Sequence, residues 1–140
     1  MRQLGANLMA ACESGGVIAL RGDLGAGKTT LVRGALESLG VTSGVRSPTY
    51  TLIEYYEFVP LCIAHLDLYR LADGEELEYL GYRDYLNPAT ICFIEWPERA
   101  KGYLSNIGLE IRIDYDVDGR QLEFKPVNDW GSRICAVIDP

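Results

Sequence analysis

Apolar residues recur along this chain with two alternating periods, one helical and one of strand type. Leu4, Leu8, Met9 and Cys12 share one face of a 3.6-residue repeat and predict a first helix. Residues 17–21 (VIALR) make a short apolar strand. From Lys28 the helical period returns, with Leu31, Val32, Ala35, Leu36 and Leu39 on one face and Gly40 at the C-cap position. Residues 41–46 read as a connection. Residues 50–58 (YTLIEYYEF) are aromatic and β-branched and predict a strand that Pro60 ends, and 62–68 (CIAHLDL) predict another. A short acidic helix is expected over 74–80, stopped by Gly81, and Asn87-Pro88 marks a turn. Residues 91–96 (ICFIEW) are the most apolar strand of the chain, closed by Pro97. A helical turn or two over 98–104 leads to strand-like runs at 109–115 and 121–125. Between them, 116–120 carries Asp118-Gly119, a β-hairpin signal. Residues 130–137 read as helix or as strand.

The junction of the first strand and second helix changes the picture from fold to chemistry. Residues 22–29 read GDLGAGKT, a phosphate-binding loop. Its glycines let the backbone approach phosphate closely. The N–H groups around Asp23, Leu24, Gly25, Ala26 and Gly27 can then form an anion nest, extended by the positive end of the following helix. Lys28 is expected to reach the β- and γ-phosphates, and Thr29 to ligate Mg²⁺. Thr30 is expected on an α-phosphate or on its own helix. The alternative is a glycine-rich turn that binds nothing.

A P-loop needs a second acidic group, normally at the carboxyl end of a neighbouring strand. Glu95 ends ICFIE and Asp67 ends CIAHLD, where it shares a strand face with His65. Glu95 can hold Mg²⁺ directly or through water, and Asp67 can orient the attacking water or complete the metal shell. Each could instead be a solvated strand end or an arginine's partner. Thr49, in Ser47-Pro48-Thr49, is placed like a switch threonine that senses a γ-phosphate, or else belongs to an ordinary turn. Lys28, Asp67 and Glu95 are the candidate catalytic residues. The chain has no NKxD segment for reading guanine, which points to ATP.

At 140 residues the chain suits one domain, 1–140, too small for a P-loop module plus a separate substrate domain. No repeat, low-complexity segment or linker divides it. The expected fold is a single-domain α/β P-loop NTPase: a central, largely parallel sheet, helices on both faces and an added antiparallel hairpin. The strand after the P-loop and the one ending at Glu95 are expected to run parallel. Net charge is −7, from 20 acidic and 13 basic residues, and no basic cluster appears, which argues against direct nucleic-acid binding. Four cysteines form no CxxC pair and His65 is the only histidine, so a zinc site is not expected. Buried reduced thiols beside a nucleotide site suit the cytoplasm. Leu8 to Cys12 resembles a lipoprotein cleavage site, but the apolar run is too short for a signal peptide, and no stretch is long enough to span a membrane.

In order, GDLGAGKTTL, SPTYTL, HLDLYRL, the acidic helix followed by LG, and IEWPER resemble the bacterial tRNA threonylcarbamoyladenosine biosynthesis ATPases, the TsaE family, from Leu4 to about Arg120. The resemblance implies a Mg-ATP-binding ATPase. Its partner would be a two-protein threonylcarbamoyl-transferase complex that modifies the adenosine next to the anticodon of tRNAs reading codons that begin with A; tRNA would be met only through that complex. It makes Lys28 the phosphate lysine, Thr29 and Glu95 the magnesium ligands, and Asp67 a residue needed for turnover. Thr49 becomes the switch-like threonine, Trp96 the aromatic beside the metal carboxylate, and Arg120 a residue near the nucleotide base. Trp96 can also be read as core packing. Family members usually begin with an additional N-terminal segment that walls the adenine pocket, so weaker nucleotide binding than in relatives is expected. Turnover without partners is expected to be slow, since Arg70 is the only in-chain candidate for an arginine finger and equally a surface residue. The rivals are a non-hydrolytic nucleotide-gated adaptor and a small-molecule kinase, for which the chain lacks an Arg-rich lid.

Overall fold

A strand that is apolar on both faces has to be covered on both, and the three continuous apolar runs of the chain do become the interior of one sheet. The computed structural model describes residues 1–41 and 52–138. In chain order it contains α1 (Arg2–Ala11), β1 (Gly16–Arg21), α2 (Lys28–Ser38), β2 (Ile53–Tyr56), β3 (Cys62–Asp67), α3 (Glu75–Tyr79), β4 (Thr90–Glu95), β5 (Ile107–Asp116), β6 (Gly119–Pro126) and α4 (Asp129–Ile138). Single 3₁₀ turns lie at Tyr82–Tyr85 and Pro97–Ala100. The six strands form one sheet in the order β2-β3-β4-β1-β5-β6. β3-β4, β4-β1 and β1-β5 pair parallel, whereas the edge pairs β2-β3 and β5-β6 are antiparallel.

The pleat sorts side chains between two cores. Ile18, Leu20, Ile63, Ile91 and Phe93 point to the side where Leu8 of α1, Leu31, Val32 and Leu36 of α2, and Ile134 of α4 cover them. Their neighbours Val17, Ala64, Leu66, Cys92 and Ile94 point the other way, onto Leu77 of α3 and Tyr82. By the same alternation His65, Asp67 and Glu95 share the face of α2. α1 braces α2 at backbone distance, since a Cβ on Gly34 would lie 2.1 Å from the Arg2 carbonyl. Burial pushes the Cys12 and Cys92 thiols up to about 12, as suits structural, reduced cysteines. Among the described residues no helix is long and apolar enough to cross a membrane.

One sequence expectation is overturned and two are narrowed. β2, the strand after the P-loop, does not run parallel to β4: it reaches β3 through a short link, which forces an antiparallel pair, and it sits at the sheet edge. It is β1, before the loop, that pairs in parallel with β4. Residues 98–104 shrink to the 3₁₀ turn at Pro97–Ala100. Residues 130–137 are helical and lie within α4, which buries Gly131 and Ile134.

Candidate functional site

β1 ends at Arg21 and α2 begins at Lys28, so the glycine-rich loop 22–27 lies at the carboxyl end of a central strand. Gly27, φ 120, is the N-cap of α2 and offers no side-chain cap, so the first N–H groups of the helix are left for an anion. Lys28 folds back over the loop. Its Nζ donates to the Gly22 carbonyl, lies 3.5 Å from the Asp23 carbonyl, and sits 3.6 Å above the Trp96 ring. The side chain is 4% exposed. Burial holds its pKa below the ordinary lysine value, with Glu95, Glu98, Asp67 and Asp23 pulling the other way.

Glu95 closes β4 and is 3% exposed. The Thr29 hydroxyl donates toward both of its oxygens, at 3.1 and 2.9 Å. On the other side His65 Nε2 lies 2.5 Å from Glu95 Oε2. The buried Nδ1 of His65 has no partner among the described residues. Asp67 is the register partner of Glu95 across β3-β4, and its Oδ1 accepts the Tyr69 N–H at 3.1 Å. The chain then turns at Trp96, whose φ of 59 is left-handed and costs a non-glycine residue roughly 1–3 kcal/mol. That turn is what lays the indole against Lys28, with Tyr69 packed on it at 5.0 Å between ring centres.

Leu24, Gly25, Gly27, Lys28, Thr29, Thr30, Asp67, Glu95 and Trp96 line one cavity of about 320 Å³. Three further residues of the loop, Gly22, Asp23 and Ala26, do not line it. The Asp23 carbonyl accepts the Ala26 N–H at 3.0 Å and so closes the turn, and Ala26 is fully buried behind it. Arg120 lies on the outer side of the loop, donating Nε to the Ala26 carbonyl at 2.9 Å. Thr49 lies outside the described residues. Sequence reasoning missed Tyr69, which completes the wall, and did not connect His65 to Glu95.

One hydroxyl and one carboxylate, both hard oxygen donors 2.9 Å apart at closest, fit a magnesium ion that arrives with phosphate oxygens and water. Among the described residues no cluster of three His, Cys, Asp or Glu could hold a metal unaided. The arrangement can therefore grip a polyphosphate: helix N–H groups, a desolvated ammonium, and a hydroxyl-carboxylate pair at one mouth.

The family model of threonylcarbamoyl adenosine biosynthesis protein TsaE matches residues 1–122. The tRNA threonylcarbamoyladenosine biosynthesis protein TsaE of Haemophilus influenzae is 48% identical over 122 residues, which cover 87% of this chain and 77% of that protein. The protein of the same name from Bacillus subtilis is 39% identical over 124 residues, 88% of this chain and 77% of the relative. The crystal structure of Bacillus subtilis YdiB superposes with a TM-score of 0.73 at 31% identity, covering 96% of this chain and 84% of that one. The match takes in the glycine-rich loop and both strand-end acids and ends within β6, and this chain belongs to the TsaE family.

Proposed function

We propose that the chain is a P-loop ATPase that binds Mg-ATP and hydrolyses it slowly, as helper to a two-protein threonylcarbamoyl-transferase complex. That complex would form N6-threonylcarbamoyladenosine next to the anticodon of tRNAs reading A-starting codons. The observation that carries the reading is the Thr29-Glu95 pair, 2.9 Å apart, beside buried Lys28 at the amino end of α2. Lys28 has already lost most of its water, so exchanging the Gly22 carbonyl for a phosphate oxygen trades a neutral acceptor for an anion. Thr29 and Glu95 would hold Mg²⁺, which when bound neutralises charge developing on the phosphate oxygens. His65 meets Glu95 at Oε2, an oxygen that the Thr29 hydroxyl also reaches, and so fixes the orientation of the carboxylate. Asp67 faces the same cavity, positioned to orient a water and take its proton. Trp96 and Tyr69 wall the cavity and restrict bulk water.

Arg70 is exposed, and the cationic group that completes phosphoryl-transfer sites is assigned here to the partner complex, which makes turnover of the chain alone slow. The test is reconstitution of tRNA modification with the two partner proteins, with and without this chain, over many turnovers. Stimulation that requires ATP supports the reading, and absence of stimulation refutes it. Retained stimulation by a hydrolysis-dead chain would establish the adaptor instead.

A further inference from the structure

The β5-β6 hairpin reaches the outer side of the P-loop, and its two contacting residues are a cross-strand pair. Tyr115 and Arg120 stand opposite each other in the ladder, so both side chains emerge on one face. The Arg120 guanidinium lies 4.3 Å over the Tyr115 ring. From that face Tyr115 Oη donates to the Leu24 carbonyl at 3.0 Å. Arg120 donates Nε to the Ala26 carbonyl at 2.9 Å and Nη2 to the Gly25 carbonyl at 3.4 Å. Three consecutive loop carbonyls are thus held from outside.

The consequence follows from peptide geometry. In a trans peptide the C=O and the next residue's N–H point in opposite directions. Drawing the carbonyls of Leu24, Gly25 and Ala26 toward the hairpin therefore turns the N–H groups of Gly25, Ala26 and Gly27 away from it. Ala26 N–H is taken by the Asp23 carbonyl at 3.0 Å, while Gly25 and Gly27 line the cavity. The fit is close: at Gly25, φ 78, a Cβ would come within 2.9 Å of Tyr115 Oη. A loop with glycines at 22, 25 and 27 has many conformations to lose, and an external clamp removes them before an anion arrives.

We propose that Tyr115 and Arg120 are positioning residues that hold the peptide planes of the P-loop in their anion-binding orientation. This rests on the nucleotide reading above and departs from the base-proximal role that the family resemblance suggested for Arg120. All three guanidinium nitrogens are committed to carbonyls, the third through Nη1 to Gly119 at 3.2 Å. Tyr115→Phe, Arg120→Ala and Arg120→Lys should be compared with the parent chain for ATP, ADP and GTP affinity by calorimetry. The Gly25 and Gly27 amide resonances of the nucleotide-free proteins provide the second readout. Tyr115→Phe should weaken ATP and ADP by about threefold and Arg120→Ala by roughly tenfold. The ATP-to-GTP ratio should stay constant. Arg120→Lys should not restore affinity, because an ammonium lacks the rigid planar fork that meets the Gly25 and Ala26 carbonyls while stacked on the Tyr115 ring. The glycine amides should shift in Tyr115→Phe, which keeps charge and ring and removes only the hydroxyl. A changed ATP-to-GTP ratio in Arg120→Ala would make it a base reader and overturn the clamp. So would Tyr115→Phe with unaltered affinity and unaltered glycine amides. If the parent chain bound no nucleotide, the proposed function would fail while the amide shifts still judged the clamp.

Discussion

At the amino ends of β1 and β4 a cavity of about 400 Å³ is lined by Ser14, Gly15, Tyr85, Asn87, Trp130 and Arg133 among others. At the carboxyl ends of the same strands lies the cavity of about 320 Å³ that holds Lys28, Thr29, Asp67 and Glu95. Size favours the first, chemistry the second. Around the amino-end cavity polar groups pair with one another: Trp130 Nε1 donates to the Ser14 carbonyl at 3.1 Å, Gly15 N–H to the Pro88 carbonyl at 2.7 Å, and Gly131 N–H to Asn128 Oδ1 at 2.9 Å. At the carboxyl end stand three of the four buried polar residues among the described ones, namely Lys28, His65 and Glu95; the fourth, Thr90, begins β4 at the other end. Burying ionisable groups is costly, and a fold that gathers them at one mouth has use for their charge. A candidate site is better marked by buried charge than by volume.

The largest expected break in that contrast is Glu95→Gln, which keeps the shape of the side chain and removes its charge. Steady-state phosphate release should fall by about a hundredfold or more. Persistent hydrolysis would move the chemistry away from this strand end. Lys28→Ala should weaken ATP binding by roughly 30- to 100-fold in calorimetry, the worth of a charge-assisted hydrogen bond. Its melting temperature should not drop, because the change relieves a buried cation of its desolvation cost.

At the other end, Trp130→Ala should cost about 2 kcal/mol in urea unfolding, since the ring is partly buried against the core. ATP affinity of the folded protein should be unchanged, which would sharpen the division between a structural end and a chemical one. The smallest effect is expected from the metal. Mg²⁺ alone should leave the melting temperature unmoved, whereas Mg-ATP should raise it by a few degrees and EDTA should reverse part of that gain. A clear shift with Mg²⁺ alone would mean that Thr29 and Glu95 have a protein ligand beyond those described.

The chemical end was largely legible in the chain itself because its signals are local. GDLGAGKT falls between a strand period and a helix period, and Glu95 and Asp67 each follow an uninterrupted apolar run. The partnership of His65 with Glu95 was not legible, since it depends on β3 and β4 being parallel neighbours with Asp67 opposite Glu95. Trp96 belongs to the strand by composition, yet its left-handed backbone ends the strand one residue earlier and turns the indole onto Lys28. The hairpin shows how narrow the margin is. A two-residue turn on Asp118-Gly119 would set Arg120 opposite Val117, whereas the observed ladder pairs Asp116 with Gly119 and sets Arg120 opposite Tyr115. That pairing is what the proposed clamp needs, because the alternative register, two residues away, would keep Arg120 on the same face but set it beside Val117 and leave Tyr115 with another partner.

Periodicity and short motifs are properties of neighbouring residues, and they determined by themselves the strand-loop-helix around the glycine-rich loop, the acids at two strand tips, and the mixed α/β class. Strand order, register and edge direction decided the rest: that β2 turns back antiparallel, that His65 reaches Glu95, and that Tyr115 and Arg120 close on the loop from behind. Those contacts join residues 30 to 95 positions apart. No local preference encodes such a pairing. It is selected only when the whole sheet buries both of its faces at once.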